Sequence, residues 1–288
     1  MAQEFRIVQV SDLHLSGKRG RYQDNWEITL EWIDAEKPDL VVVSGDVALS
    51  DPDEVDDLVF ARRQLNRISA PWRVIPGNHD IGDNVVSGGM AKSVDAERRQ
   101  RWLDLFGPDY WQQTCGAWTA IGVNAQILNS GGFPAEEEQS AWLTRTLAEI
   151  PRERPIALFV HKPLFMDHPS EAGVTSDCLD PEARHRLLRP FADKSLKLVA
   201  CGHKHQYRSF GINGIIHIWA PATSAVNHPP EVKMWGLREV GFVDIRLGES
   251  GGLRQRLVGR DMLFRHESYV YAKEYGSAAA GPEQPVAP

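Results

Sequence analysis

The stretch LKLVACGHKHQ, residues 196–206, contains the pattern that decides the fold of this chain. Its run at residues 196–200, apolar except for Lys197, is typical of a buried strand. A glycine and two histidines, His203 and His205, lie just beyond that strand. The two imidazoles either pack against the rest of the protein or bind a ligand, and the remainder of the sequence weighs on that choice.

Strands and helices alternate from the beginning of the chain. FRIVQV (residues 5–10), the apolar run of PDLVVVSGD (residues 38–46) and the start of PWRVIPGNHD (residues 71–80) each predict a strand. The spacing of apolar residues predicts helices over 23–37 and 51–68, and acidic residues at the start of the second helix would cap it. This alternation predicts an α/β fold with a largely parallel sheet.

The same patterns continue through the rest of the chain. Helices are expected over residues 93–106, 135–150 and 181–188. Strands are expected over residues 155–160, 195–200 and 240–247, with one or two more in 117–128 and a hairpin over 207–220 that turns at Asn-Gly. Since no linker divides the chain, we expect a single domain over residues 1–275. Residues 237–275 would complete a sheet, cap the site or form an interface, and the Pro-rich residues 276–288 predict a disordered tail.

Composition limits the classes of function. The chain has 288 residues, of which 42% are hydrophobic and 25% charged, as in ordinary soluble globular proteins. The net charge of -7 argues against a large nucleic-acid footprint, which needs clustered Lys and Arg. It does not exclude a phosphate substrate, because bound metal ions can dominate the local field.

Cysteine usage and the amino terminus bear on the compartment. Cys115, Cys178 and Cys201 are odd in number and irregular in spacing, so we expect a reducing compartment without structural disulfides. Cys201 stands beside the histidine pair, but a small buried residue at a strand end is favoured over a metal ligand. Neither a signal peptide nor a membrane span is evident in the sequence. We therefore expect a cytoplasmic protein.

Five of the predicted strands are followed directly by polar loops: SDLH, SGD, PGNHD, VHKP and CGHKH. Ligands bind at the carboxyl ends of strands in open parallel sheets, so these loops would meet at one edge. They offer nine side chains, namely Asp12, His14, Asp46, Asn78, His79, Asp80, His161, His203 and His205. Imidazole, carboxylate and amide groups without thiolates suit Mn, Fe, Zn, Co or Ni. They are too many for one four-coordinate ion but suffice for two ions bridged by a carboxylate.

The ordered set D-x-H, G-D, G-N-H-D, a single strand-end histidine and G-H-x-H resembles the calcineurin-like metallophosphoesterase superfamily over roughly residues 5–206. The GNHD and GHKH loops are most similar to those of bacterial class III cyclic-nucleotide phosphodiesterases and glycerophosphodiesterases. The resemblance implies a four-layer α/β/β/α sandwich. It also implies a metal-dependent phosphodiesterase with two divalent metal ions, drawn from Mn, Fe, Zn or Co.

The resemblance further implies a role for each side chain. One ion would be held by Asp12, His14 and His205. The other would be held by Asn78, His161 and His203, with Asp46 bridging the two. His79 would face the substrate and protonate the leaving oxygen, and Asp80 would orient His79. A hydroxide shared by the two ions would then attack the phosphorus in line.

Several alternatives stay open. Small phosphodiesters such as cyclic nucleotides or glycerophosphodiesters are the expected substrates. No nucleic-acid or membrane partner is expected, and the oligomeric state, including a homo-oligomer, stays open. The same metal core could serve a phosphomonoesterase or a nucleotide pyrophosphatase. A DNA nuclease is disfavoured by the acidic balance, and a non-catalytic protein-binding scaffold by the presence of every expected ligand.

One position departs from the family pattern. Relatives often carry a second histidine after the one at position 161, and this chain has Lys162 there. The lysine would either contact a substrate phosphate or point into solvent, and the second interpretation is favoured. Arg19 and Arg21 in the loop after SDLH, and Asn124 after a predicted strand, could also reach the site edge. The histidines outside the loops, His168, His185, His217, His228 and His266, are not expected to act in it.

Overall fold

The computed structural model of the chain describes residues 4–85, 92–131, 134–227 and 233–268. Its strands are β1 (Phe5–Val10), β2 (Leu40–Val43), β3 (Trp72–Val74), β4 (Trp111–Cys115), β5 (Trp118–Gly122), β6 (Ile156–Phe159), β7 (Leu196–Cys201), β8 (Arg208–Ile212), β9 (Ile215–Trp219), β10 (Ala225–Val226), β11 (Phe242–Leu247), β12 (Leu253–Val258) and β13 (His266–Glu267). Its α-helices are α1 (Gln23–Glu36), α2 (Val55–Leu65), α3 (Asn78–Ile81), α4 (Ala96–Phe106), α5 (Pro134–Glu149) and α6 (Pro181–Leu188). The predicted tail at 276–288, the end of the 237–275 segment and His228 lie outside the described residues.

The strands form two large mixed sheets. In the first sheet, with the order β12-β11-β1-β2-β3, strands β1, β2 and β3 run parallel, β11 pairs antiparallel with β1, and β12 pairs antiparallel with β11. In the second, with the order β4-β5-β6-β7-β9-β8, the central strands β5, β6, β7 and β9 run parallel and the edge strands are antiparallel. The expected parallel arrangement is thus confirmed for the strands that precede the polar loops.

Apolar side chains alternate between two faces of each sheet and bury both. In β1, Ile7 points to the core between the sheets, whereas Val8 joins the core between the first sheet and its helices. Phe159 and Leu198 of the second sheet meet Ile7 in the inner core, and all three are fully buried. Apolar residues are therefore needed on both faces of the central strands.

Helices cover the outer face of each sheet. Trp26 and Ile33 of α1 and Leu58 of α2 pack on the outer side of the first sheet. Leu143 of α5 and Leu187 of α6 pack on the outer side of the second. The layer order is therefore α/β/β/α, which confirms the four-layer sandwich that the sequence motifs implied.

Element boundaries differ from the sequence prediction where acidic or polar side chains have other partners. Helix α2 starts at Val55, and its N-cap residue Glu54 makes no capping hydrogen bond through its side chain. Upstream of this helix, Asp53 pairs with Arg98 and Arg101. The carboxylates before α2 thus hold a loop against α4, and the prediction of a helix capped from Asp51 onwards is wrong.

Further details bear on the sequence prediction. The hairpin turn at Asn213 and Gly214 is confirmed, because both residues have the positive φ angles of such a turn, 52° and 77°. The polar strand β4 was not expected, and the strand predicted over 117–128 ends at Gly122. All three cysteines are free and buried, and the burial of Cys201 agrees with the structural role expected for it. Among the described residues, no helix combines the length and the apolar character that crossing a bilayer requires.

His217 of β9 is a buried histidine that belongs to none of the five polar loops. Only 5% of its surface is exposed, and its ring stacks on Phe210 with a centroid distance of 5.1 Å and packs against Phe165. Burial lowers the pKa of His217 to about 4, because a charged imidazole would lose its hydration there. The structural role expected for this residue agrees with its packing.

This depressed pKa predicts an acid sensitivity. Between the unfolded pKa of about 6.5 and the native pKa, the unfolded chain binds a proton at His217 that the native chain does not bind. The free energy of unfolding should therefore fall with falling pH, by on the order of 2 to 3 kcal/mol from this residue between pH 7.5 and 4.5. His217→Gln should remove that part of the slope in urea denaturation. The exposed His185→Gln variant is the control, and an unchanged slope in His217→Gln would contradict the prediction.

Candidate metal centre

The loops that follow β1, β2, β3, β6 and β7 meet at one place. Three groups of side chains there have ligand atoms within 4.8 Å of one another: Asp12 with His14 and His205, His14 with Asp46 and His79, and Asp46 with His161 and His203. His14 and Asp46 each belong to two of these groups, so the three form one continuous cluster. Each group could hold a metal ion.

Backbone strain is concentrated in this cluster. Eight non-glycine residues in the described part of the chain have a positive φ, and five of them are predicted ligands: Asp12, His14, Asp46, His203 and His205. Their φ angles lie between 46° and 68°, the left-handed region that side chains with a Cβ rarely adopt. Such strain is typical of functional sites, where the surrounding structure holds a residue in an unfavourable conformation to aim its side chain.

Glycines before the ligands allow the loops to approach closely. At Gly45, which has a φ of +100°, a Cβ would collide with the His161 ring from the neighbouring sheet. At Gly202, a Cβ would collide with Ser11 and would lie 2.5 Å from Oδ2 of Asp12. The glycine in SGD and the glycine in CGHKH are therefore required by contacts between loops.

The first group is built around Asp12 and His205. Nδ1 of His205 lies 2.8 Å from the carbonyl oxygen of Ala225, which can only accept, so Nδ1 carries the proton. Nε2 of His205 then faces Oδ1 of Asp12 at 3.4 Å and Nε2 of His14 at 3.2 Å. The backbone N–H of His203 donates to Oδ2 of Asp12 at 2.9 Å and fixes that carboxylate from the other side.

The second group is built around His161. Nδ1 of His161 donates to the carbonyl oxygen of Ser44 at 2.8 Å, and Nε2 lies 3.1 Å from Oδ1 of Asn78 and 3.3 Å from Oδ2 of Asp46. The His203 ring lies beside it with a centroid distance of 5.1 Å. Nε2 of His203 lies 2.9 Å from the carbonyl oxygen of Ser176, so a backbone carbonyl holds this ring as well.

These contacts fit a bound cation. A neutral His161 with its proton on Nδ1 directs the lone pair of Nε2 at two oxygen acceptors, which repel it unless a positive charge lies between them. Metal-binding histidines commonly donate their other ring N–H to a carbonyl, as His161 and His205 do. The set of imidazole, carboxylate and amide donors suits borderline or hard divalent ions.

The pKa shifts follow from the same crowding. Burial disfavours charge throughout the cluster, but the nearby Asp46 carboxylate outweighs it and raises the pKa of His161 to about 9. Burial, together with the neighbouring His79 and His205, lowers the pKa of His14 to about 3. A proton on His161 here takes the place that a metal cation would occupy.

His79 and Asp80 do not pair in the expected way. The Asp80 carboxylate accepts hydrogen bonds from the backbone N–H groups of Val47 and Ala48 at 3.0 Å and of Gly77 at 2.8 Å. Nδ1 of His79 lies 3.2 Å from the carbonyl oxygen of Ser50. The prediction that Asp80 orients His79 is therefore wrong, because this carboxylate ties two loops together. Burial and the neighbouring Asp46 raise the pKa of Asp80 to about 7.

Lys162 is also placed differently from the sequence prediction. The favoured interpretation, a side chain in solvent, is wrong, because Lys162 is fully buried. Its ammonium forms an ion pair with Asp83, which is also buried. The Gln126 amide can donate to Oδ1 of Asp83 at 3.2 Å and accept from the backbone N–H of Asn78 at 3.3 Å. This network connects the loop after β6 with the loop that bears Asn78.

Sequence reasoning missed the backbone carbonyls that bind the ring nitrogens of the predicted metal ligands. The carbonyls of Ser44, Ser176 and Ala225 leave no mark in the sequence, since every residue has a carbonyl. The amide of Asn124, which could reach the site edge by the sequence prediction, donates to Asp109 at 2.8 Å. The surface of Cys201 is only 2% exposed, and burial raises the pKa of its thiol well above its usual range, in line with the structural role expected.

The buried Lys162–Asp83 pair yields a stability prediction. Asp83→Asn should lower the free energy of unfolding by about 3 to 5 kcal/mol, because the Lys162 ammonium stays buried without that carboxylate. The double variant Asp83→Asn/Lys162→Met should recover much of the loss in urea denaturation of metal-free protein. The matched control is Asp56→Asn, which breaks an exposed pair with Lys18. An Asp83→Asn cost as small as that of the control would refute the prediction.

Comparisons with known proteins agree with this geometry. The probable glycerophosphodiester phosphodiesterase GpdQ of Arcobacter nitrofigilis is 25% identical over 226 residues, covering 76% of this chain and 78% of that protein. The 3',5'-cyclic adenosine monophosphate phosphodiesterase CpdA of Pseudomonas aeruginosa is 25% identical over 290 aligned positions, covering 94% of each chain. A purple acid phosphatase structure from yellow lupin superposes with a TM-score of 0.65 at 17% identity, covering 100% of this chain and 58% of that one.

A family model covers most of the chain. Residues 5–207, which include all five polar loops, match the model described as calcineurin-like phosphoesterase. The family match and the phosphodiesterase-named relatives agree with a cluster of side chains suited to divalent metals. The chain belongs to the calcineurin-like phosphoesterase family and is a metal-dependent phosphoester hydrolase.

Proposed function

We propose that the chain is a dinuclear-metal phosphodiesterase that hydrolyses small phosphodiesters of the cyclic-nucleotide or glycerophosphodiester type. The observation that carries this proposal is the continuity of the ligand cluster, in which Asp46 adjoins both His14 and the His161–His203 group. A single ion would use only part of this cluster, whereas two ions sharing a carboxylate would use all of it.

Each ion would have its own set of ligands. Asp12, His14 and His205 would hold one ion, and Asn78, His161 and His203 the other, with Asp46 bridging. Ions bound there would lower the pKa of a water molecule and neutralise charge on the substrate phosphate. The remaining work belongs to the chain itself, which orients the ligand rings through backbone carbonyls and aims the carboxylates through strained loops.

His79 would donate the proton that the leaving oxygen needs. Its side chain is half-buried beside the cluster, with its ring edge-on to His14 at a centroid distance of 4.7 Å. Its backbone N–H donates to Oδ1 of Asp46 at 2.8 Å, which ties the residue to the metal ligands. A ring nitrogen of His79 also lies within 4.8 Å of ligand atoms of His14 and Asp46, so the metal content of a His79 variant distinguishes a proton donor from a metal ligand.

The substrate class rests on the relatives. Both reported relatives carry phosphodiesterase names, one for glycerophosphodiesters and one for a cyclic nucleotide. The net charge of -7 favours a small phosphoester over a nucleic acid. The single domain over residues 1–275, the cytoplasmic location and an oligomeric state stay predictions.

Two variants separate the metal ligands from the proton donor. Asp46→Ala should lose both ions, because each would lose its shared ligand. His79→Ala should keep both and lose about 10²–10⁴-fold in turnover of a diester with an alkoxide leaving group, such as a glycerophosphodiester. Metal content after Mn²⁺ loading and gel filtration, measured by mass spectrometry, checks the first result, and kcat checks the second. Two tightly held ions in Asp46→Ala would exclude the bridge, and metal loss in His79→Ala would make His79 a ligand.

The reaction class is tested with two aryl substrates. The Mn²⁺-loaded protein should hydrolyse bis(p-nitrophenyl) phosphate with a kcat/KM about tenfold or more above that for p-nitrophenyl phosphate, a difference of ~1.4 kcal/mol in transition-state binding. The Asp46→Ala variant controls for contaminating phosphatases. A monoester preference would contradict the proposal and move the assignment to a phosphomonoesterase. With a diester preference, cyclic nucleotides and glycerophosphodiesters are the substrates to compare next.

A further inference from the structure

The His79 ring is held by a backbone carbonyl in place of a carboxylate. Its Nδ1 lies 3.2 Å from the carbonyl oxygen of Ser50, in the loop between β2 and α2. Since a carbonyl only accepts, this contact puts the proton on Nδ1 and leaves Nε2 as the atom that exchanges a proton with a substrate. The two acidic residues that follow His79 most closely are engaged elsewhere, Asp80 with backbone N–H groups and Asp83 with Lys162.

Ser50 is itself fixed by a buried side-chain contact. Its hydroxyl donates to Oδ2 of Asp57 at 2.5 Å, and the two residues are only 3% and 4% exposed. Asp57 lies in the first turn of α2, whose apolar face is part of the core of the first sheet. The position of the Ser50 carbonyl is therefore set by a helix that packs on the sheet.

The loop between Ser50 and α2 is anchored on its other side as well. Asp53 pairs with Lys92 at 2.6 Å, with Arg98 at 2.9 Å and with Arg101 at 3.1 Å. These cations lie on α4 and just before it, so α2 and α4 together constrain this short loop. The carbonyl that meets His79 has little freedom to move.

We infer that Ser50 and Asp57 are positioning residues for His79. The Ser50 hydroxyl, bound to Asp57, holds the Ser50 carbonyl against Nδ1, and this contact fixes the tautomer and the direction of the ring. The inference rests on the proposed function, in which His79 protonates the leaving oxygen. It explains why the Asp80 carboxylate can serve as a loop tie without leaving His79 unsupported.

The proton balance of the step is simple. A water molecule forms the new P–O bond and releases one proton to solvent, while the bond from phosphorus to the leaving oxygen breaks. That oxygen takes a proton from Nε2 of His79, which leaves a neutral ring with its proton on Nδ1. Solvent then returns a proton to Nε2. Alkoxide leaving groups need this proton, whereas a nitrophenolate departs without it.

Leaving groups therefore provide the test. In Mn²⁺-loaded protein, Ser50→Ala should reduce the rate on a diester with an alkoxide leaving group, such as a glycerophosphodiester. This reduction should be about tenfold larger than the reduction in the rate on bis(p-nitrophenyl) phosphate. Ser50→Thr keeps the hydroxyl and should restore the ratio of the two rates. Asp57→Ala should cause the same leaving-group-dependent loss of rate as Ser50→Ala, because it removes the acceptor of the Ser50 hydroxyl. Asp57→Asn keeps an acceptor oxygen and should cause a smaller loss than Asp57→Ala.

A second readout does not depend on turnover. The ¹⁵N resonances of the His79 ring, recorded in Zn²⁺-loaded protein, report which nitrogen carries the proton. Ser50→Ala should shift the Nδ1 signal away from its hydrogen-bonded position, and Ser50→Thr should keep it. An unchanged Nδ1 signal in both Ser50→Ala and Asp57→Ala would overturn the inference, because the carbonyl would then be held without this pair.

His79→Ala separates failure of this inference from failure of the proposed function. If His79→Ala lowers the alkyl rate much more than the aryl rate and Ser50→Ala does not, the positioning role is overturned while the proton donor stands. If His79→Ala lowers both rates equally, His79 is not the donor, and the inference fails with it. Parallel, leaving-group-dependent losses in His79→Ala and Ser50→Ala would support both.

Discussion

A buried convergence of hydrogen-bond acceptors around Asp46 is the constraint on which the structure depends. Nε2 of His161 lies 3.1 Å from the amide oxygen of Asn78 and 3.3 Å from a carboxylate oxygen of Asp46. Groups of this kind repel one another at such distances unless a cation neutralises them. Since backbone carbonyls already fix the proton positions on the rings, the neutralising charge has to come from outside the chain or from an extra proton.

The sandwich supplies the rigidity that this arrangement needs. Five residues of the cluster have left-handed backbone conformations, each costing on the order of 1 to 3 kcal/mol. Central strands buried on both faces hold the loop ends in place, and the Asp80 and Lys162–Asp83 contacts join the loops to one another. The stability of the packed sheets and helices therefore offsets the backbone strain in the loops of the metal cluster, as is common for catalytic sites.

Much of the fold and of the candidate site could be predicted from the sequence because both depend on local patterns. Apolar runs located the central strands, and the polar residues after them identified the loops that meet. The predicted side-chain contacts were wrong where the actual partner lies far away in the sequence. Asp80 bonds to backbone N–H groups of Val47 and Ala48, and Lys162 pairs with Asp83 in the buried interior. Lys162 departs from the family pattern, so the pattern could not supply its partner, and Asp80 matches the pattern but bonds to backbone groups that no motif identifies.

The sequence by itself determined the α/β class through its periodicity and the groups available for chemistry through its short motifs. The layer order and the family followed from the resemblance of those motifs to the calcineurin-like metallophosphoesterases. Only the tertiary structure decided which ring nitrogen of each histidine is available for metal binding or proton transfer. Ser44, Ala225 and Ser50 present carbonyls to His161, His205 and His79, and those contacts decide which ring nitrogen keeps its proton. A carbonyl is common to every residue, so its position in space, and not its sequence, carries that information.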